Sequence, residues 1–240
     1  MKRAFENKIA VVTGGSGAIG SAIIAGLEQQ GARAVSLDVA HPAGAAAPFQ
    51  ACDMRDDGSV ASAIAKVQQI YGHLDLVVHA AGVSREAVVW KLAVEDWDFV
   101  QSVNLRGAFL LLRHAIPVMR AGEGGRIVLI GSINGSRGKF GTSAYSASKA
   151  GLIALARTVA REVARLRILI NIVEPGWVRT PLTDSLPQAV RDAALAESLV
   201  GRCVEPADVA AAVTFLCGPG AQQITGQILR VDGGQSLGSV

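Results

Sequence analysis

The chain has 240 residues, half of them hydrophobic, with charged residues at only 18% and a net charge of +3. This balance suits one α/β domain over residues 1–240 with a large buried core, and it excludes a disordered chain. So small and scattered a positive excess leaves no footprint for nucleic acid.

Three cysteines, Cys52, Cys203 and Cys217, are odd in number and lack a C-x-x-C pair, which favours a reducing, cytoplasmic setting over a disulfide framework. After Lys2 and Arg3 the apolar run is only "IAVV", short for a signal peptide. "AFLLL" (Ala108–Leu112) is far below membrane-spanning length.

In chain order, the first predicted strand is Ile9–Thr13 and the first helix Ala18–Gln30, with "VVTGGSGAIGSAI" across their junction. A phosphate loop for a nucleoside triphosphate needs Lys after its last glycine, and Ser21 stands there instead. A dinucleotide reading fits better, because a glycine turn entering a helix brings free N–H groups and a positive dipole end to a pyrophosphate. The second strand, Ala34–Asp38, ends on a carboxylate suited to ribose hydroxyls and repulsive to a 2′-phosphate. The cofactor expected is therefore NAD, with NADP disfavoured.

"HPAGAAAP" (His41–Pro48) reads as a surface connection, followed by a weaker strand, Phe49–Asp53, and a helix, Ser59–Tyr71. Strands at Leu76–His79, Ile127–Gly131, Ile168–Val173 and Ile228–Val231 alternate with helices at Asp96–Arg120, Ala144–Leu166 and Ala207–Cys217. Apolar runs without alternation indicate strands covered on both faces. The expected fold is thus α/β, a Rossmann-type doubly wound and mostly seven-stranded parallel sheet with helices on both faces.

"SAYSASKAG" (Ser143–Gly151) puts Tyr145 and Lys149 on one helical face. A free phenol titrates near pH ~10. A neighbouring ammonium in a partly buried site supplies on the order of 3 kcal/mol, which would draw the phenol down towards neutrality and make it an acid/base. Alone, such a pair is unspecific.

With these motifs in order, the chain resembles the short-chain dehydrogenase/reductase family, in its single-domain oxidoreductase branch, over nearly its whole length. Thr13, Gly14 and Gly20 fit the family's T-G-x-x-x-G-x-G pattern, and Ala18 replaces its middle glycine. The resemblance implies cofactor contacts from Gly14, Ser16, Gly17, Ala18, Ile19 and Gly20, from Asp38 at the ribose and from Asp53 at the adenine. It implies more from Ala80, Ala81 and Gly82 of "HAAG", where the family usually has N-A-A-G and His79 departs from it. His79 then reads as a structural substitute for the Asn. "EPGWVRTPL" supplies Pro175, Gly176, Val178 and Thr180, which resemble the segment holding the nicotinamide carboxamide.

The implied active-site quartet is Asn104, Ser132, Tyr145 and Lys149. Tyr145 would exchange the proton, Ser132 hold the substrate oxygen, Lys149 acidify the phenol and bind the nicotinamide ribose, and Asn104 hold a relay water. No metal is expected. The implied reaction is hydride transfer between a secondary alcohol and its ketone. A 3-oxoacyl thioester reductase, a subgroup that usually prefers NADPH, and a non-catalytic NAD-binding regulator are the alternatives.

Loops at Val83–Trp90, Ile133–Thr142 and Trp177–Val200 should frame the substrate. Val88, Ile133, Phe140, Trp177, Val178 and Leu182 suggest an apolar or cyclic one, and Arg137 and Lys139 are candidates to meet an anionic tail. A homotetramer, with no membrane partner, is the implied assembly.

Overall fold

A computed structural model describes residues 3–41 and 47–238. Part of the expected surface connection, residues 42–46, lies outside the described residues. The strands are β1 (Ile9–Thr13), β2 (Arg33–Asp38), β3 (Phe49–Ala51), β4 (Leu76–His79), β5 (Gly125–Ile130), β6 (Ile168–Pro175) and β7 (Ile228–Val231). All neighbours pair in parallel, in the order β3-β2-β1-β4-β5-β6-β7. The order reverses between β1 and β4, which opens a crevice at the carboxyl ends of those strands.

Alternation along each strand feeds two cores. Val11, Val77, Ile127 and Ile170 face one side with Leu111, Leu152 and Ala156. Ala10, Val12, Val78 and Val128 face the other with Ile23, Leu27 and Val213. The first side carries α2 (Asp57–Tyr71), α4 (Gly107–Ala121) and α6 (Ser143–Val163), and the second carries α1 (Ala18–Gln29) and α9 (Pro206–Cys217).

Three expectations need correction. The long helix expected over Asp96–Arg120 is α3 (Val94–Gln101), a π-helical turn (Ser102–Arg106) and α4. The loop expected at Ile133–Thr142 opens with a short helix, α5 (Ile133–Arg137), capped by Ser132. Trp177–Val200 is also not plain loop, because α7 (Pro181–Asp184) and α8 (Gln188–Ala196) lie within it. Side-chain caps explain α5 and α7: Ser132 Oγ accepts from Asn134 N, and Thr180 Oγ1 accepts from Thr183 N. Among the described residues no helix is long and apolar enough to cross a membrane.

Candidate active site at the carboxyl rim of the sheet

The β1–α1 turn is built by two glycines. Gly14 has φ +64°, and a Cβ there would stand 2.7 Å from the Ala81 backbone. At Gly20 a Cβ would collide with the Gly14 carbonyl, so only glycine lets α1 pack onto the turn. Gly17 forms the N-cap of α1 without a side-chain cap, and the first turn holds no acidic residue. Helix N–H groups therefore remain open to an anion, which fits a pyrophosphate. Ser16 and Ala18 are half-buried at this mouth, and Ile19 turns towards the second core.

Asp38 ends β2 beside the turn. Its carboxylate accepts from Ser16 N (3.1 Å) and Val39 N (2.8 Å), which fixes it at the rim. Asp53 is less free than expected. Arg55 donates to both carboxylate oxygens through its side chain, at 2.7–3.1 Å, and this ion pair holds the Asp53 carboxyl below its usual value.

Ala80, Ala81 and Gly82 continue from β4. Ala80 N bonds Thr13 O, and Ala81 N bonds Thr13 Oγ1 at 3.2 Å. Gly82 opens onto the reacting groups, since a Cβ there would lie 3.3 Å from Lys149 Nζ and 3.6 Å from Asn104 Oδ1.

His79 is fully buried, and its partners fix its tautomer. Nε2 lies 3.2 Å from the Asn104 carbonyl, which can only accept, so Nε2 carries the proton. Nδ1 then accepts from the Thr13 hydroxyl at 2.9 Å. Burial first, then the charge of Lys149, depresses the imidazole to about 3, so it stays neutral. It ties the ends of β1 and β4 to the π turn.

Asn104 is buried within that turn, and its amide is committed. Nδ2 donates to Val83 O (2.9 Å) and Ser148 Oγ (3.0 Å), and Oδ1 accepts from Val83 N (2.8 Å). Its side chain thus anchors the β4 loop. Ser148 was not anticipated in this network. A hydroxyl one residue before Lys149 was the available signal.

Ser132, Tyr145 and Lys149 converge at the ends of β5 and α6. Lys149 Nζ donates to Ile130 O at 2.8 Å and lies 5.6 Å from the centre of the Tyr145 ring. Burial lowers the ammonium to about 8.

The phenol departs from the sequence expectation. Burial raises its pKa, and a hydrogen bond with Ser132 opposes that only in part. The lysine faces the ring, yet in the protein alone desolvation outweighs the one opposing contact, that of Ser132.

Pro175 ends β6 and is buried, and Gly176 beyond it lies against the C-terminal turn, where a Cβ would stand 2.9 Å from Asp232. Val178 is packed in the core beside Val204, leaving only its main chain for a ligand. The Thr180 hydroxyl caps α7. Ile133 is buried too, so neither Ile133 nor Val178 lines a substrate crevice as expected. The Leu182 side chain lies outside the described residues. Arg137 is not free for an anion, because it pairs with Glu197 at 2.8 Å. Lys139 sits 5.2 Å above the Trp177 ring.

Two clefts border this rim. One of about 500 Å³ is lined by Trp177, Arg179, Asp184, Arg191, Leu195 and Cys203. The other, about 330 Å³, runs between Val88–Trp90 and Lys139–Gly141 and reaches Ser143.

A nucleotide-binding turn, a carboxylate at the second strand and a Ser–Tyr–Lys cluster on one rim define a dinucleotide-dependent oxidoreductase. The family model for enoyl-(acyl carrier protein) reductase matches residues 15–236. The 3-oxoacyl-[acyl-carrier-protein] reductase FabG of Thermotoga maritima is 34% identical over 95% of this chain and 98% of its own. The Escherichia coli K12 FabG is 34% identical over 97% and 99%.

Among solved structures, the crystal structure of gox2181 superposes with a TM-score of 0.94 at 30% identity, covering 98% of each chain. Thermoplasma acidophilum aldohexose dehydrogenase superposes with a TM-score of 0.92 at 29% identity, covering 99% and 97%. The chain belongs to the short-chain dehydrogenase/reductase family and is a nicotinamide-dependent oxidoreductase resembling the 3-oxoacyl reductases.

Proposed function

We propose that the protein interconverts a secondary alcohol and its ketone with NAD as hydride carrier. The observation that carries this reading is the cluster at the rim: Ser132 acting on the Tyr145 phenol to oppose the rise in its pKa, and Lys149 facing the same ring beside the open Gly82. When bound, the nicotinamide supplies or accepts hydride at C4. Tyr145 Oη takes the alcohol proton or returns it, and the Ser132 hydroxyl holds the substrate oxygen and stabilises charge developing there. Lys149 keeps positive charge beside the phenol and would hold the nicotinamide ribose.

The preference for NAD rests on Asp38. Its fixed carboxylate accepts ribose hydroxyls and repels a 2′-phosphate, and its neighbours Ser16, Val39 and Ala40 carry no charge to offset that. We assign an apolar or cyclic substrate to the 330 Å³ cleft, where Val88 is half-buried and Phe140 exposed. The second reading, a 3-oxoacyl thioester reductase, is favoured by the names of the FabG relatives. The remaining assignments are a cytoplasmic setting and a homotetramer through the helices of Asn104 and Tyr145, where Phe109 is half exposed.

Initial rates with NADH and NADPH, on cyclohexanone, acetoacetyl-coenzyme A and an aldohexose, test these points. Higher kcat/KM with NADH and cyclohexanone is expected. A preference for NADPH would overturn the Asp38 argument, and turnover confined to acetoacetyl-coenzyme A would establish the second reading.

A further inference from the structure

Segment 177–200 starts just beyond β6 and ends against the C-terminal turn, and its middle is loosely held. Along α8 only Ala194 is buried, while Val190 and Leu195 are exposed. Its two feet are Trp177 and Glu197. One side chain bridges them. Gln235 Oε1 accepts from Trp177 N at 2.8 Å, and Gln235 Nε2 donates to Glu197 Oε2 at 2.8 Å.

We propose that Gln235 is a positioning residue of the reaction, its buried carboxamide joining the two feet of segment 177–200 and so setting where that segment stands at the substrate crevice. The proposal rests on the reading of the site given above.

The surrounding chain is shaped for this role. Asp232 accepts from Gly234 N (3.0 Å) and Ser236 N (2.9 Å), and Gly233 and Gly234 adopt positive φ, which folds "VDGGQS" into a turn aimed at the feet. Gly176 makes room, since a Cβ there would lie 2.6 Å from Gln235 Oε1. Only 5% of Gln235 is exposed, so its carboxamide is held within the protein and meets Glu197 at the edge of the solvent.

The same Glu197 oxygen accepts from Arg137 Nη2 (2.8 Å), and Arg137 Nη1 also bonds Gln235 O (3.2 Å). Arg137 ends the short helix that Ser132 caps, so the clamp and the substrate-oxygen donor share one rigid element. Main-chain bonds tie the feet as well, from Leu199 N to Gly233 O and from Val204 N to Trp177 O. Those bonds are open to any sequence. Joining a main-chain donor at one foot to a carboxylate at the other needs a side chain that both accepts and donates, and an amide is one.

Three variants test the idea. Gln235→Leu removes both bonds. Gln235→Glu keeps the acceptor for Trp177 N but sets a carboxylate against Glu197. The double variant Gln235→Glu/Glu197→Gln exchanges the partners and restores a donor–acceptor pair. In cofactor-free protein, hydrogen exchange of amides 181–196 should quicken at least 10-fold in both single variants, stay unchanged in β4 and β5, and return to within 3-fold of wild type in the double variant.

With NADH and either cyclohexanone or acetoacetyl-coenzyme A, KM should rise at least 5-fold while kcat stays within 2-fold, because only a fraction of molecules holds the binding-competent arrangement. Unchanged exchange in the segment, acceleration spread evenly over the sheet, or a loss carried by kcat alone would overturn the proposal. A wild-type protein inert to every substrate would sink the proposed function instead, and the exchange experiment would still decide the clamp.

Discussion

The half-buried Tyr145 and the buried Lys149 are both pushed towards their neutral forms by desolvation, one upwards and one down to about 8. In the protein alone burial thus holds the phenol above its ordinary value, opposed only by Ser132. Tyr145→Phe should lower kcat by at least about 100-fold while NADH affinity, read from its fluorescence, stays within a few-fold. Equal turnover would remove the phenol from the chemistry.

Lys149 also leaves a mark on stability. Between about 8 and its ordinary value of 10.5, an unfolded chain binds this proton and the folded one does not, so stability rises with pH across that window. Cys52 and Cys217, raised to about 11 and about 12, act in the opposite sense above pH 9. Urea unfolding of wild type and Lys149→Met at pH 7, 8 and 9 separates the two. Wild type should gain on the variant by up to about 1.4 kcal/mol between pH 8 and 9, and a constant difference would deny the depressed ammonium.

At the scale of elements, the π turn at Ser102–Arg106 carries the site's internal wiring. It faces Asn104 towards the β4 loop and its carbonyl towards His79. A neutral imidazole held at about 3 penalises acid. From its ordinary 6.5 downwards the unfolded state takes up a proton that the folded state refuses, so stability falls by about 1.4 kcal/mol per pH unit. His79→Asn should flatten that part of the curve between pH 6.5 and 4.5 in urea titrations. An unaltered slope would mean that the ring is not the group responsible.

Periodicity ran continuously through Asp96–Arg120 because the apolar face continues on both sides of the insertion, so the π turn was hidden in the sequence. His79 stood out as a lone polar residue in an apolar strand, and Asn104 came only from the family resemblance. Their bond to one another spans β4 and the turn, and no local pattern encodes it.

For the whole molecule, the parallel order β3-β2-β1-β4-β5-β6-β7 brings the carboxyl ends of all seven strands to one rim. Strand positions and the nucleotide turn could be read from the sequence because they depend on neighbours a few residues apart. The Arg55–Asp53 pair is just as short in range, but it escaped notice because nothing marks an exposed Arg as a partner. The clamp at Gln235 depends on contacts with Trp177 and Glu197, far earlier in the chain, and a lone polar residue after two glycines gave no hint of them.

Ligand binding at this rim should stabilise the entire sheet. NADH at 100 times its Kd adds about 2.7 kcal/mol, or roughly 5–10 °C in Tm for a chain of this size. NADPH at the same concentration should add less, because of Asp38. Equal shifts in a thermal denaturation assay would contradict that ranking.

The locked ring of His79 also gives the protein a natural reporter. Its Nε2 proton is sealed from solvent and held by a single carbonyl, so it should exchange slowly and give an isolated downfield imidazole resonance in proton NMR. Any event at the rim that shifts the helix carrying Asn104 would move that one signal, without a label and far from the crowded amide envelope.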